Sequence, residues 1–180
     1  MTKRVRAAER YALREDELPP ALRAELDALR DHHTKRFFGA QEEPIAAVTA
    51  LKYRDHLRGA LGWLHRERGV PLDRLSLRDV VPSASREGVG PAFDYLLWLR
   101  EARGISVRTE GIALRSLLAA AKFVHHGASA VRAGDGDKPY SDLDVVKELR
   151  ALSSGARREG KTASRVSDES LKWLDWPEYL

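Results

Sequence analysis

The chain has 180 residues, of which 43% are hydrophobic and 32% charged, enough for one helical domain with a real core and a terminal extension. That balance excludes a wholly disordered chain, and no apolar run approaches the length of about eighteen residues needed to cross a bilayer. Zero cysteines exclude disulfides, zinc–thiolate centres and thiol nucleophiles.

The net charge of +4 is unevenly spread. Residues 49–126 carry thirteen basic and eight acidic groups, against nine and nine in 1–48 and nine and ten in 127–180. A basic surplus confined to one segment is the footprint of a polyanion-binding surface, although well-solvated Arg- and Ala-rich helices give the same balance. The opening Met1-Thr-Lys-Arg-Val-Arg leads into Glu9, Glu15 and Asp16 rather than an apolar export segment, so a cytoplasmic location is expected.

Helical periodicity dominates, and the expected fold class is all-α. A first helix is expected over Arg4 to Asp16, ended by Leu18-Pro19-Pro20, and a second over Ala21 to Phe38, burying Leu22, Leu26 and Leu29 and stopping at Gly39. The third starts at Thr49 as N-cap, buries Tyr53, Leu57, Ala60, Leu61 and Leu64, and ends near Gly69; Lys52, His56 and Arg66 lie opposite, flanked by Arg54 and Arg58. A short helix follows over Ser76 to Val81, then a loop over 83–90.

Pro91 opens the next helix, which carries Phe93, Leu96, Leu97 and Trp98 inward to Gly104. Ile105-Ser-Val-Arg-Thr109 leads into a helix to about His125 that buries Leu114, Leu117, Leu118, Ala121 and Val124. Its opposite stripe is Arg108, Arg115, Ala119, Lys122 and His126, whose cations can lie along a phosphate backbone. Residues 127–139 read as a loop, Ser141 or Asp142 caps a further helix to about Leu152, and the Ser-, Gly- and Arg-rich stretch 153–167 reads as a linker. The last ten residues, Leu171 to Leu180, hold Trp173, Trp176 and Tyr179.

Other chemistry is thin. His32-His33 and His125-His126 are adjacent pairs, and neighbours on a helix point about a hundred degrees apart, so they read as surface or capping groups rather than metal ligands. Gly134-Asp-Gly-Asp137 lacks the spacing of a calcium loop, and Ser83 and Ser85 have no oriented histidine and acid. No cofactor or metal is expected.

Two helices framing Gly104-Ile-Ser106-Val-Arg-Thr109, with the first beginning Thr49-Ala-Leu-Lys-Tyr-Arg-Asp-His-Leu and the second closing on Lys-Phe-Val-His, give Thr49 to His126 a layout that resembles the core-binding domain of tyrosine recombinases of the phage-integrase family. The resemblance implies a small helical bundle that clamps duplex DNA, with candidate contacts at Lys52, Arg54, His56, Arg103, Ser106, Arg108, Thr109, Arg115 and Lys122. It also implies further partners, a catalytic domain or other recombinase protomers, with no membrane and no small-molecule substrate. The family's nucleophilic tyrosine needs two arginines, a lysine and histidines from a C-terminal domain, which the residues after 167 do not supply. Tyr179 is therefore expected to be a packing residue, and the chain to have no catalysis of its own. The expected division is an N-terminal helical arm (1–48), a core-binding domain (49–126), a loop and additional helix (127–152), and a linker with the start of a missing C-terminal domain (153–180). The competing reading is a protein-interaction or scaffolding domain that uses its tryptophan-rich end.

Overall fold

The computed structural model of the protein describes residues 11–36, 42–131 and 136–162. Six α-helices build it: α1 (Pro20–Thr34), α2 (Ala47–Arg68), α3 (Leu77–Val80), α4 (Gly90–Glu101), α5 (Val107–Val124) and α6 (Asp144–Thr162). Single 3₁₀ turns stand at Leu72–Arg74, Arg86–Val89 and His126–Ala128, and there is no strand among the described residues. The fold is all-α, as composition and periodicity indicate, and none of these helices is long and apolar enough to cross a membrane.

α5 is the central helix, packed chiefly on α6 and α2. Its buried Ala113, Ala120 and Ala121 alternate with Leu114 and Leu117, and the small side chains let neighbouring backbones approach closely. Leu22, Leu26 and Leu29 of α1 join the same cluster as Leu57 and Leu61 of α2 and Val145, Val146 and Leu149 of α6, each at most 1% exposed. α1, expected within an arm, thus buries its apolar stripe in the common core.

Of the helix expected over Arg4 to Asp16, residues 4–10 lie outside the described residues, and 11–16 are not helical. Within its described part, residues 11–14 are extended or bent and a turn follows at 15–17. The chain here is held from the side by α2: Leu13 N–H donates to the Arg58 carbonyl (3.2 Å), and the Arg58 and Arg66 guanidiniums donate to the Leu13 and Tyr11 carbonyls (both 2.9 Å). Gly62 makes this approach possible, since a Cβ there would fall inside the Tyr11 carbonyl oxygen and 2.9 Å from the Leu13 nitrogen. Tertiary hydrogen bonds that satisfy the backbone from outside outweigh a modest local helix propensity.

Other boundaries shift by identifiable causes. α1 ends at Thr34 rather than Phe38, its cap N–H at Lys35 returning to Asp31; Phe38 and Gly39 lie outside the described residues. α2 begins at Ala47 with Ala46 as N-cap, so Thr49 sits inside the first turn, and Tyr53 is only half-buried. The other end is as expected: Gly69 adopts φ 70°, the left-handed conformation that closes a helix. Ser76 opens α3, where its N–H donates to Asp79 (2.7 Å) and the next amide, at Leu77, donates to Glu25 of α1 (2.9 Å).

α4 is rotated from the expected setting. Ala92, Tyr95, Leu96 and Leu99 face the core, leaving Phe93 and Leu97 exposed and Trp98 half-buried. On this face the Tyr95 ring packs 5.6 Å from that of Trp63. α6 runs ten residues past the expected Leu152, so 153–162 is helix and not linker, while 163–180 lie outside the described residues. Val145, Leu149, Leu152 and Ala156 repeat at helical spacing, and burying that stripe on α5 overrides the weak propensities of Ser153, Ser154 and Gly155. Asp142 does not cap α6; its carboxylate instead accepts from Ser129 Oγ (2.7 Å) and the Ala130 amide (2.5 Å), fastening the loop before it.

Candidate nucleic-acid interface

α5 and α6 lie antiparallel, for Gly160 near the end of α6 stands against Val107 and Arg108 at the start of α5. Between them runs an open groove of about 680 Å³. Its uncharged lining mixes small residues, Gly111, Ser153, Ser154, Ala156 and Gly160, with Val107 and Ile112 of α5. Its cations are Arg108 and Arg115 from α5 and Arg157 and Lys161 from α6, and no carboxylate lines it. All four are exposed, and no acidic partner lies within ion-pair distance of any of them among the described residues. Arg115 Nε donates to the Gly111 carbonyl (3.0 Å), which fixes the stem and leaves the guanidinium's outer nitrogens toward solvent.

The acids nearby are turned away. Glu110, only 8% exposed, accepts from Arg100 Nε at 2.6 Å, and Glu159 stands 3.5 Å from the same guanidinium. That ion-pair group faces α4 and so occupies the other side of α5 and α6. Sequestering both carboxylates there gives the groove a positive potential larger than the net charge of +4 suggests.

The nine expected contact residues therefore divide. Arg108 and Arg115 lie in the groove. Ser106 is the N-cap of α5: its hydroxyl accepts the Thr109 amide at 3.2 Å and lies 3.0 Å from the Thr109 hydroxyl, which fixes the start of the helix beside the groove. Lys52 is exposed on α2, apart from it.

The remaining four are engaged inside the fold. Arg54, its side chain 14% exposed, makes a bidentate pair with Glu15 (3.0 and 2.5 Å), and that hydrogen bond raises the guanidinium's pKa further. His56 is half-buried, and burial lowers its pKa despite Asp55. The Arg103 guanidinium lies over the rings of Tyr11 and Trp98, 5.0 and 5.8 Å from their centroids. Lys122, 13% exposed, bonds both oxygens of the more exposed Glu42 (2.6 and 2.7 Å). The reason for this last miss is tertiary: Lys122 lies within about 20° of Arg115 around α5, but Glu42, from the chain between α1 and α2, pairs with it at that end of the helix.

Arg157 and Lys161 were hidden by composition, because Ser-, Gly- and Arg-rich sequence reads as linker. The continuing spacing of Val145, Leu149, Leu152 and Ala156 is the signal that places them on a helix.

The paired histidines sit at helix ends, His32 and His33 in the last turn of α1 and His125 as the C-cap of α5, and they are half-buried apart from the buried His125. His125, 6% exposed, has Nε2 2.8 Å from the Val81 carbonyl. His32 meets His33 and His126 edge-on at 4.9 and 5.1 Å between centroids, and His126 Nδ1 bonds the Tyr140 hydroxyl at 2.8 Å. Burial, with His33, His126 and Lys122 adding to it, pushes the His32 pKa down to about 4. No group of three ligating side chains among the described residues is placed to hold a metal ion.

In comparison with known proteins, the chain matches no family model, no curated protein and no solved structure. The arrangement of charge along α5 and α6 is what a functional reading has to stand on.

Proposed function

We propose that the protein is a duplex-DNA-binding module that engages the phosphate backbone through the α5–α6 groove and has no catalytic activity of its own. One observation carries this reading: four exposed cations on two facing helices, unpaired among the described residues, around a groove that no carboxylate lines. Arg108 and Arg115 stand seven residues apart, about 10.5 Å along α5, and Arg157 and Lys161 four apart, about 6 Å along α6. Two rows of long, flexible donors at that spacing can each reach separate phosphates of a nucleic-acid backbone laid along the groove. Phosphate contacts of this kind position a protein without reading sequence.

The resemblance of Thr49 to His126 to the core-binding domain of tyrosine recombinases supports the same class of ligand and suggests a recombination half-site as its context, inside the cytoplasm. The groove differs from that expectation in drawing half of its cations from α6, beyond the resembling segment. The alternative of a protein-interaction domain is favoured by a different surface, the exposed Phe93 and Leu97 on α4.

The test is a fluorescence-anisotropy titration of duplex DNA of arbitrary sequence at several salt concentrations. Micromolar-range binding at low salt that weakens steeply as salt rises is the expected result. No binding at low salt removes the DNA reading and leaves the protein-interaction one.

A further inference from the structure

Phe93 and Leu97, one turn apart on α4, are 48% and 42% exposed. They line one wall of a second groove of about 250 Å³, whose other wall is Leu152 and Gly155 of α6, with the buried Leu96 and Leu114 beneath. Single exposed apolar residues are ordinary, but two on one helical turn facing a third across a concavity form a docking surface. The charges at its rim are already matched, Arg100 with Glu110 and Glu159, so the groove offers an occupant shape and apolar area rather than charge.

We propose that this groove is covered by the chain's own C-terminal segment, Leu171 to Leu180, anchored by Trp173 or Trp176. Six of those ten residues are large and apolar or aromatic: Leu171, Trp173, Leu174, Trp176, Tyr179 and Leu180. Each aromatic side chain buries roughly 150–250 Å² when it docks. Connectivity selects this occupant over a separate partner. α6 ends at Thr162, within a turn of Glu159 at one end of the groove, and the groove runs back along the helix to Ala151. Its far side, at Leu152, is ten residues from Thr162, about 15 Å along the axis. The eight residues 163–170 reach at most about 27 Å, so the tether spans the distance with slack. A covalent connection of that length supplies an effective concentration on the order of millimolar, which an untethered competitor must exceed. The tail would lie on the side of α6 away from Arg157 and Lys161, so the proposal stands independently of DNA binding.

Hydrogen–deuterium exchange of the full-length chain tests it. Amides of 171–180 should exchange at least about tenfold more slowly than in an unstructured peptide of the same sequence. Leu97→Lys, at an exposed position, should keep the helical circular dichroism and abolish that protection; Phe93→Lys serves should the first variant fail to fold. Three results would overturn the proposal: unprotected exchange of the tail in the wild-type chain, protection that survives both groove substitutions, or protection lost on dilution, which would make the occupant a second copy.

Discussion

Lys122 Nζ lies 2.6 Å from Glu42 Oε1 and 2.7 Å from Oε2, on a side chain 13% exposed. This pair joins the end of α5 to the chain between α1 and α2, and it takes out of solvent the cation that periodicity aligns with Arg115. Burial lowers the lysine's pKa although Glu42 opposes the shift, so the ammonium depends on its carboxylate. Glu42→Gln should therefore lower stability by about 1–3 kcal/mol, the range for a hydrogen bond to a charged group left without its counter-ion. Urea denaturation gives the stability, and the salt dependence of DNA binding should be unchanged in the same variant.

At Gly62 the segment leading to α1 lies so close to α2 that a Cβ would overlap the Tyr11 carbonyl oxygen. Gly62→Ala would favour the helix locally, yet the added methyl meets the backbone of Tyr11 and Leu13, which cannot rotate away. The substitution should cost about 2 kcal/mol or more. An unchanged denaturation midpoint would show that residues 11–13 do not pack on α2 as described.

Acid should loosen the protein well above the carboxylate range. His32 titrates near 6.5 when unfolded and at about 4 in the fold, because burial disfavours its charged form, and the pKa of His33 is also lowered, chiefly by burial. Between those values the unfolded chain binds the proton and the folded one does not. The stability tied to a neutral His32 is thus complete above about pH 6.5 and is lost as pH falls toward 4. The loss should be on the order of 2 kcal/mol once solvent screening of a half-buried ring is allowed for. Glu15, Glu17 and Asp31 have carboxyl pKa values held below their usual range by hydrogen bonds from neighbouring basic side chains or backbone, and they add their losses only at lower pH. Urea midpoints measured between pH 7.5 and 4.5 should fall for the wild type and fall less steeply for His32→Gln; equal slopes would remove His32 as the cause.

Much of the fold is legible in sequence wherever one helix has one apolar stripe. Leu22, Leu26 and Leu29 on α1, and Leu57, Leu61 and Leu64 on α2, are buried at the positions their spacing indicates, and Gly69 and Ser76 mark real helix ends. Legibility fails where a competing partner lies far away in sequence. The hydrogen bonds from α2 decide the conformation of 11–13, the packing of Tyr95 on the distant Trp63 accompanies the rotation of α4, and burial against α5 makes a helix of the Ser- and Gly-rich 153–162. The candidate site follows the same rule. Charge type and the choice of α5 can be read from the chain, whereas which arginines remain exposed depends on carboxylates such as Glu15 and Glu42 that only the folded chain brings near.

The most direct test of the central claim compares salt slopes of DNA affinity for three double variants. Arg108→Ala with Arg115→Ala removes the α5 row, Arg157→Ala with Lys161→Ala removes the α6 row, and Arg74→Ala with Arg78→Ala removes two exposed cations that do not line the groove. All three remove the same charge. Each groove pair should weaken binding for every sequence alike and reduce the slope of log affinity against log salt by roughly two, about one for each phosphate that is no longer neutralised, while the Arg74 and Arg78 pair leaves the slope near wild type. Equal weakening by all three would mean that net charge alone drives binding, and no effect from either groove pair would contradict the assignment of the α5–α6 face.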